Sequence, residues 1–150
     1  MNQNTPLLIA LVDDDIDDRE IFEEALEEVS PETRIRLFDN GAHLLDYLGN
    51  NDNDRPHIIF LDINMPVKNG FETLSELQES EEFKGLCVIM YSTSDSRTDI
   101  EKSYLLGANG FVQKASSHSA LKNMLSKILT TDWKDPCNAL ERHNFVLTAE

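Results

Sequence analysis

The chain has 150 residues, 40% of them hydrophobic and 27% charged. This length and composition are typical of one globular domain and argue against a two-domain enzyme, and every apolar run is too short for a membrane span of about 20 residues. The net charge of −15 repels the phosphate backbone of nucleic acids, so no direct DNA binding is expected. The first residues lack the basic segment of a secretory signal, and we expect a cytoplasmic protein.

The first predicted element is a strand at residues 7–12, an uninterrupted apolar run of strand length. A helix follows it, because Phe22, Ala25, Leu26 and Val29 recur at helical spacing. Apolar runs and periodicity predict the remaining elements in chain order: a strand at 34–38, a helix at 42–48, a strand at 58–61, a helix at 71–77, a strand at 86–91, a helix at 99–106 closed by Gly107, a strand at 110–113 and a helix at 121–129.

Five strands therefore alternate with five helices. This alternation predicts an α/β fold, a doubly wound five-stranded parallel sheet with helices on both faces. Ligands of such sheets bind beyond the carboxyl ends of the strands, near the point where the strand order reverses. The residues at the strand ends are therefore the candidates for function.

Acidic residues are concentrated just after the first strand. Residues 13–28 hold ten acidic side chains and a single basic one, Arg19. A solvated helix face explains the glutamates well. Three consecutive aspartates at the end of an apolar strand, Asp13, Asp14 and Asp15, instead indicate a bound cation.

Three further strands end in chemically active side chains: the third in Asp62, the fourth in Ser92 and the fifth in Lys114. Because the carboxyl ends of parallel strands converge, these side chains are expected to share one crevice with the aspartates. A few carboxylates that leave room for water suit Mg²⁺. A metal ion, an ammonium and a hydroxyl around an ionised aspartate are the parts that phosphoryl transfer onto a carboxylate requires.

In their order and spacing, the segments at these strand ends resemble the receiver domain of two-component response regulators, whose CheY-like fold is flavodoxin-like. The resemblance covers residues 6–130 and leaves residues 131–150 as a C-terminal extension. The segments that carry it are residues 12–15, 61–70, 92–94 and 107–114.

The resemblance implies that Asp62 is the phospho-acceptor, which takes a phosphoryl group from the phosphohistidine of a histidine kinase. It implies a Mg²⁺ ion held by Asp14 directly, by Asp13 through water, by Asp62 and by the backbone carbonyl of Asn64. The side chains of Asn64 and Ser94 stand at the positions that tune the phosphate lifetime. Such a domain is a signalling module and not an enzyme, since it catalyses only its own phosphoryl transfer and dephosphorylation.

By the same resemblance, Ser92 is the switch hydroxyl that binds the phosphoryl group, and Lys114 is the lysine that pairs with it. Phe111 matches the aromatic residue whose rotamer switches. Gly70 matches the glycine that lets the loop after Asp62 turn into the third helix.

Each assignment has a structural alternative. One of the three consecutive aspartates, above all Asp15, could cap the following helix. Lys114 could be a surface lysine and Ser92 a turn former. Phe111 could simply fill the core, because it has no hydroxyl that would report its rotamer through a hydrogen bond.

Two other classes of protein share part of the pattern. Asp13, Asp15, Asp17 and Glu24 match positions 1, 3, 5 and 12 of an EF-hand calcium loop, but Asp18 stands where that loop needs glycine. A strand pattern also precedes the loop where an EF-hand has a helix. A flavodoxin-type electron carrier would need small and hydroxylated residues after the first strand, and three aspartates there would repel the FMN phosphate.

The sequence departs from the receiver pattern after Lys114, where Ala115 replaces the usual proline. A cis bond before a residue other than proline costs about 3–4 kcal/mol. We therefore expect a trans Lys114–Ala115 bond, or a strained cis one, and looser coupling between Lys114 and Asp62.

Because twenty residues follow residue 130, we expect a stand-alone receiver whose output is contact with a downstream protein or relay of the phosphoryl group to a phosphotransfer protein. Residues 99–109 resemble small receivers that partner phytochrome-type kinases. The alternative is a pseudo-receiver that serves as a constitutive interaction module. A homodimer stays open, and the apolar residues of the extension are expected to pack on the domain or on a dimer mate: Trp133, Phe145, Val146 and Leu147.

Overall fold

The computed structural model describes residues 6–94, 96–114, 117–129 and 146–147. The elements alternate between strand and helix along the chain, as the sequence predicts. They are β1 (Leu8–Val12), α1 (Ile16–Val29), β2 (Arg34–Phe38), α2 (Gly41–Gly49), β3 (Ile58–Asp62), α3 (Gly70–Glu79), β4 (Val88–Ser92), α4 (Arg97–Leu105), β5 (Gly110–Gln113), α5 (His118–Leu129) and β6 (Val146–Leu147).

The strands form one parallel sheet in the order β2-β1-β3-β4-β5-β6. The predicted doubly wound parallel fold is therefore confirmed for the first five strands. The strand order reverses between β1 and β3, so a crevice opens at their carboxyl ends.

The sixth strand was not predicted from the sequence. It pairs in parallel with β5, Phe111 opposite Val146 and Val112 opposite Leu147. Trp133 and Phe145 lie outside the described residues, so the predicted packing of the extension's side chains stays a prediction.

Two apolar clusters fill the two faces of the sheet. The three central strands, β1, β3 and β4, are buried throughout, which explains why their sequences are continuous apolar runs. One cluster joins the sheet to α1 and α5 through Phe22 and Leu125, and the other joins it to α2 and α3 through Leu44 and Leu74. Helices on both faces thus hold the strand ends in fixed positions.

The helices begin and end at residues that suit these positions. Asp15, Asn40, Asn69 and Ser96 are the N-caps of α1, α2, α3 and α4, and each side chain accepts a backbone N–H of the first turn. Gly107 follows α4 with φ +98°, the left-handed conformation that favours glycine, as predicted.

Cys87 lies buried just before β4 and is disulfide-bonded. The spacing of the two cysteines in the sequence, with no CxxC pair, favours reduced thiols, and that expectation is wrong for Cys87. Cys137 lies outside the described residues. Within the described part of the chain, no helix is both long and apolar enough to cross a membrane.

Helix α2 contains two glycines with opposite expected effects when replaced by alanine. A Cβ on Gly41 would lie 1.9 Å from Thr73 Oγ1, which donates to the Asn69 carbonyl, whereas a Cβ on Gly49 would meet nothing within 4 Å. We expect Gly41→Ala to lower the free energy of unfolding by about 1–3 kcal/mol and Gly49→Ala to raise it by about 0.5–1 kcal/mol. Urea unfolding of the two variants measures both, and equal effects would contradict this packing of α2 on α3.

Candidate functional site

The functional candidates meet at the carboxyl end of the sheet. Asp13 and Asp14 directly follow β1, Asp62 is the last residue of β3, and Ser92 is the last residue of β4. Lys114 directly follows β5, and its backbone N–H donates to the Ser92 carbonyl at 2.7 Å. The pairing of adjacent strands therefore brings together side chains that are far apart in the sequence.

Three carboxylates form a cluster that could hold a metal ion. One oxygen from each of Asp13, Asp14 and Asp62 lies within 4.8 Å of the others. Asp13 and Asp62 are buried, while Asp14 is exposed at the mouth of the crevice. Buried carboxylates so close together repel one another unless cations balance them.

One carboxylate oxygen of this cluster has no partner among the described residues other than the Lys114 ammonium. Asp13 Oδ1 accepts the Asp15 backbone N–H at 3.0 Å. Asp13 Oδ2 lies 2.8 Å from Lys114 Nζ as an ion pair, but no described residue donates a well-directed hydrogen bond to it. A buried carboxylate oxygen in this state suits a hard divalent cation or a water bound to one, so the residues fit Mg²⁺ or a similar ion.

The Lys114 ammonium lies among three carboxylates. Its Nζ atom is 2.8 Å from Asp13, 2.9 Å from Asp18 and 3.6 Å from Asp62. Burial lowers the pKa of Lys114, but the contacts with Asp13 and Asp18 and the charge of Asp62 outweigh it and raise the pKa above its usual value. The lysine is therefore a permanent cation in the crevice and not a surface lysine, since its side chain is 11% exposed.

Burial raises the pKa of Asp62 from 3.8 to about 7. The Lys114 charge and a hydrogen bond from the Asn64 backbone N–H lower this pKa, whereas the charges of Asp13 and Asp14 raise it further. Without an added cation, the Asp62 carboxyl is thus partly protonated at neutral pH.

The hydroxyl groups and the aromatic candidate lie next to this cluster. Ser92 is fully buried, and its Oγ accepts the Ser94 backbone N–H at 3.1 Å. Ser94 Oγ in turn accepts the Ser96 backbone N–H at 3.0 Å. Phe111 is also fully buried and packs in the α2/α3 cluster, so its side chain points into the core in this structure.

The loop after Asp62 is tightly folded against the end of β3. A Cβ on Gly70 would lie 2.3 Å from the Asp62 carbonyl oxygen, so only glycine fits there. Val67 has φ +68°, and the Lys68 N–H donates to the Pro66 carbonyl at 2.7 Å, the pattern of a strained γ-turn. The turn holds Val67 outward, with 84% of its surface exposed.

Asp15 does not belong to the cluster. Its side chain accepts the backbone N–H groups of Asp17 and Asp18 and caps α1, which is the structural alternative foreseen for it. The EF-hand alternative fails as expected, because a strand precedes this loop. Ala115 lies outside the described residues, so the geometry of the Lys114–Ala115 bond stays a prediction.

The sequence assigns no function to two residues that contact Lys114. Asp18 accepts a hydrogen bond from its ammonium, and the ring of Tyr91 lies under the ammonium, 5.4 Å from centroid to Nζ. Asp18 lies in the first turn of α1, only four residues after Asp14 in the sequence, and this proximity is the signal that could have placed it near the crevice.

Comparisons with known proteins agree with this architecture. The family model of the response regulator receiver domain matches residues 9–126. Response regulator Rcp1 of Synechocystis sp. is 30% identical over 129 residues, which cover 83% of this chain and 88% of Rcp1.

Two solved structures are similar over most of their length. The Mn²⁺-bound form of Rcp1 has a TM-score of 0.76 and 26% identity, with 85% of this chain and 97% of that chain covered. The phosphorylated cyanobacterial phytochrome response regulator RcpA has a TM-score of 0.77 and 31% identity, with the same coverage of 85% and 97%.

The raised pKa of Asp62 makes the stability of the metal-free protein depend on pH. The carboxyl ionises near 3.8 in the unfolded chain and at about 7 in the folded one, so folding is penalised progressively as the pH rises through this window. We expect Asp62→Asn to be more stable than wild type in EDTA. Its free energy of unfolding should be about 1–3 kcal/mol higher near pH 8 and nearly equal to that of wild type near pH 4. Urea unfolding at both pH values measures this, and a difference independent of pH would contradict it.

The positive φ of Val67 predicts a gain in stability when its Cβ is removed. Relief of the left-handed strain is worth about 1–2 kcal/mol, and the flexibility of glycine in the unfolded chain subtracts about 0.5–1 kcal/mol. We therefore expect Val67→Gly to raise the free energy of unfolding by up to about 1.5 kcal/mol. Val67→Ala is the matched control, because it removes the exposed methyl groups and keeps the Cβ. An equal gain from alanine would show that the turn is not strained.

Proposed function

Because the chain belongs to the response regulator receiver domain family, we propose that Asp62 accepts a phosphoryl group from the phosphohistidine of a histidine kinase. Receiver domains take phosphoryl groups from such kinases and are signalling modules that act through partner proteins. The observation that carries the assignment is the position of Asp62, a buried carboxylate between two other carboxylates and an ammonium. The complete set of these groups disfavours the pseudo-receiver alternative.

Asp62 acts as the nucleophile. An oxygen of its ionised carboxylate attacks the phosphorus, the P–N bond to the kinase imidazole breaks, and an acyl phosphate forms while the imidazole leaves. The ionised form is required, and burial raises the pKa of Asp62 to about 7. Cations beside the carboxylate therefore control how much of the nucleophile is available at neutral pH.

A divalent metal ion would be held by Asp14 and Asp62, by Asp13 through water and by the backbone carbonyl of Asn64. Receiver domains bind Mg²⁺ or Mn²⁺ in an acidic pocket, and the structure of Rcp1 is described as Mn²⁺-bound. Three carboxylates stand against one Lys114 ammonium here, and this excess of negative charge supports a cation at this point. When bound, Mg²⁺ supplies positive charge that keeps the acceptor ionised and neutralises the transferring phosphoryl group.

Lys114 and Ser92 bind the phosphoryl group after transfer. The Lys114 ammonium needs to move little, since it already lies 3.6 Å from Asp62. Ser92 Oγ accepts a backbone N–H, which leaves its own proton to donate to a phosphoryl oxygen. A rearrangement of Ser92 and a change of the Phe111 rotamer then carry the signal to the surface of α4 and β5, while Asn64 and Ser94 set the lifetime of the phosphate.

The domain spans residues 6–130. Its partners are inferred from its membership of the receiver domain family. The phosphodonor is a cytoplasmic histidine kinase of the phytochrome type, a proposal supported by the similarity to RcpA, a phytochrome response regulator. The output is contact with a downstream protein or relay to a phosphotransfer protein. The extension at residues 131–150 packs on the domain or on a second copy, and its backbone pairing with β5 supports this.

The test is the mass of the intact protein after incubation with acetyl phosphate. We expect wild type to gain one phosphoryl group in the presence of Mg²⁺ and none in EDTA, and Asp62→Asn to gain none under either condition. Asp15→Asn is the matched control, since asparagine caps a helix as well as aspartate does and Asp15 does not belong to the cluster. It should be phosphorylated like wild type. A folded wild type that gains no phosphoryl group under any condition would favour the interaction-module function instead.

A further inference from the structure

The side chain of Lys114 contacts both the acceptor site and Asp18, a residue that takes no part in the proposed phosphoryl transfer. Its ammonium donates a hydrogen bond to Asp18 Oδ2 at 2.9 Å, whereas Asp62 Oδ2 lies 3.6 Å away. The same ammonium lies 2.8 Å from Asp13 Oδ2, so in this structure it contacts Asp13 and Asp18 more closely than it contacts the acceptor.

Asp18 stands apart from the metal cluster. The cluster contains Asp13, Asp14 and Asp62 and does not include Asp18. Asp18 lies in the first turn of α1, where its backbone N–H donates to Asp15 Oδ1 at 3.2 Å, and its side chain is 35% exposed. The helix thus holds this carboxylate within hydrogen-bond distance of the ammonium but outside the metal cluster.

A divalent cation in the cluster would repel the Lys114 ammonium, because both would lie against Asp13 and Asp62. The ammonium is almost fully buried and needs a carboxylate partner wherever it stays. Asp18 supplies that partner. The Tyr91 ring also contacts the ammonium and adds a cation–π interaction.

We infer that Asp18 is a positioning residue for Lys114: it holds the ammonium on the α1 side while a divalent cation occupies the carboxylate cluster. This inference rests on the proposed function and names a residue that regulates its metal step. Without Asp18, the ammonium has only Asp13 and Asp62 as partners, and it then competes with the cation for these carboxylates.

The test is the affinity of the full chain for Mg²⁺ alone, measured by titration calorimetry. Asp17→Asn is the matched control for Asp18→Asn, because it removes the same charge one residue away at an exposed position without touching Lys114. We expect Asp18→Asn to weaken Mg²⁺ binding about threefold to tenfold more than Asp17→Asn does, as suits the loss of one partly exposed ion pair. Asp18→Glu restores the charge and should recover most of the affinity.

A second comparison separates positioning from a general effect of charge or folding. In a Lys114→Gln background, Asp18→Asn should weaken Mg²⁺ binding no more than Asp17→Asn does, because there is no ammonium left to hold. Equal losses from the two single variants, or an undiminished loss in the Lys114→Gln background, would overturn the inference and leave the proposed function intact. Absence of Mg²⁺ binding by folded wild type would instead overturn the metal step of the proposed function, and this inference with it.

Discussion

The structure depends on an imbalance of charge in a buried space. Asp13 and Asp62 lie among apolar side chains with Asp14 at their mouth, and Lys114 is the cation that the described residues bring to them. One ammonium does not balance three carboxylates, so the folded state stores a repulsion that an added cation relieves. An added cation would therefore change the protonation and the stability of this site, whereas it would change neither in a neutral pocket of the same shape.

The fold holds these charges together through its backbone and not through the charges themselves. Asp62 is fixed at the end of a central strand that is covered on both faces, and Gly70 lets the following loop approach its carbonyl closely. Lys114 is fixed by its backbone hydrogen bond to Ser92. Because the apolar clusters on the two faces provide the stability, the site can keep an arrangement of side chains that is unfavourable by itself.

The sequence predicts those parts of the molecule that follow from repeating patterns. Buried parallel strands have continuous apolar runs and their carboxyl ends converge, so the sheet and the meeting of Asp13, Asp62 and Lys114 could be derived without coordinates. The pairing of β6 with β5 could not, because it depends on a contact between distant segments that leaves no periodic signal, and neither could the disulfide of Cys87. The contact between Asp18 and Lys114 spans 96 residues, and in the sequence Asp18 is one acid among ten in its segment.

The short sixth strand also changes what the sheet presents to other molecules. In the described part of the chain, the edges of the sheet are β2 and β6, and β5 is an interior strand. An exposed edge is a template on which another chain can add a strand, and long apolar edges lead to aggregation. Here one edge is two residues long, and the other carries Arg34 and Arg36. The edge of β5 at Phe111 and Val112 is therefore shielded from pairing with a second molecule, which lowers the tendency of two sheets to join when the protein is concentrated.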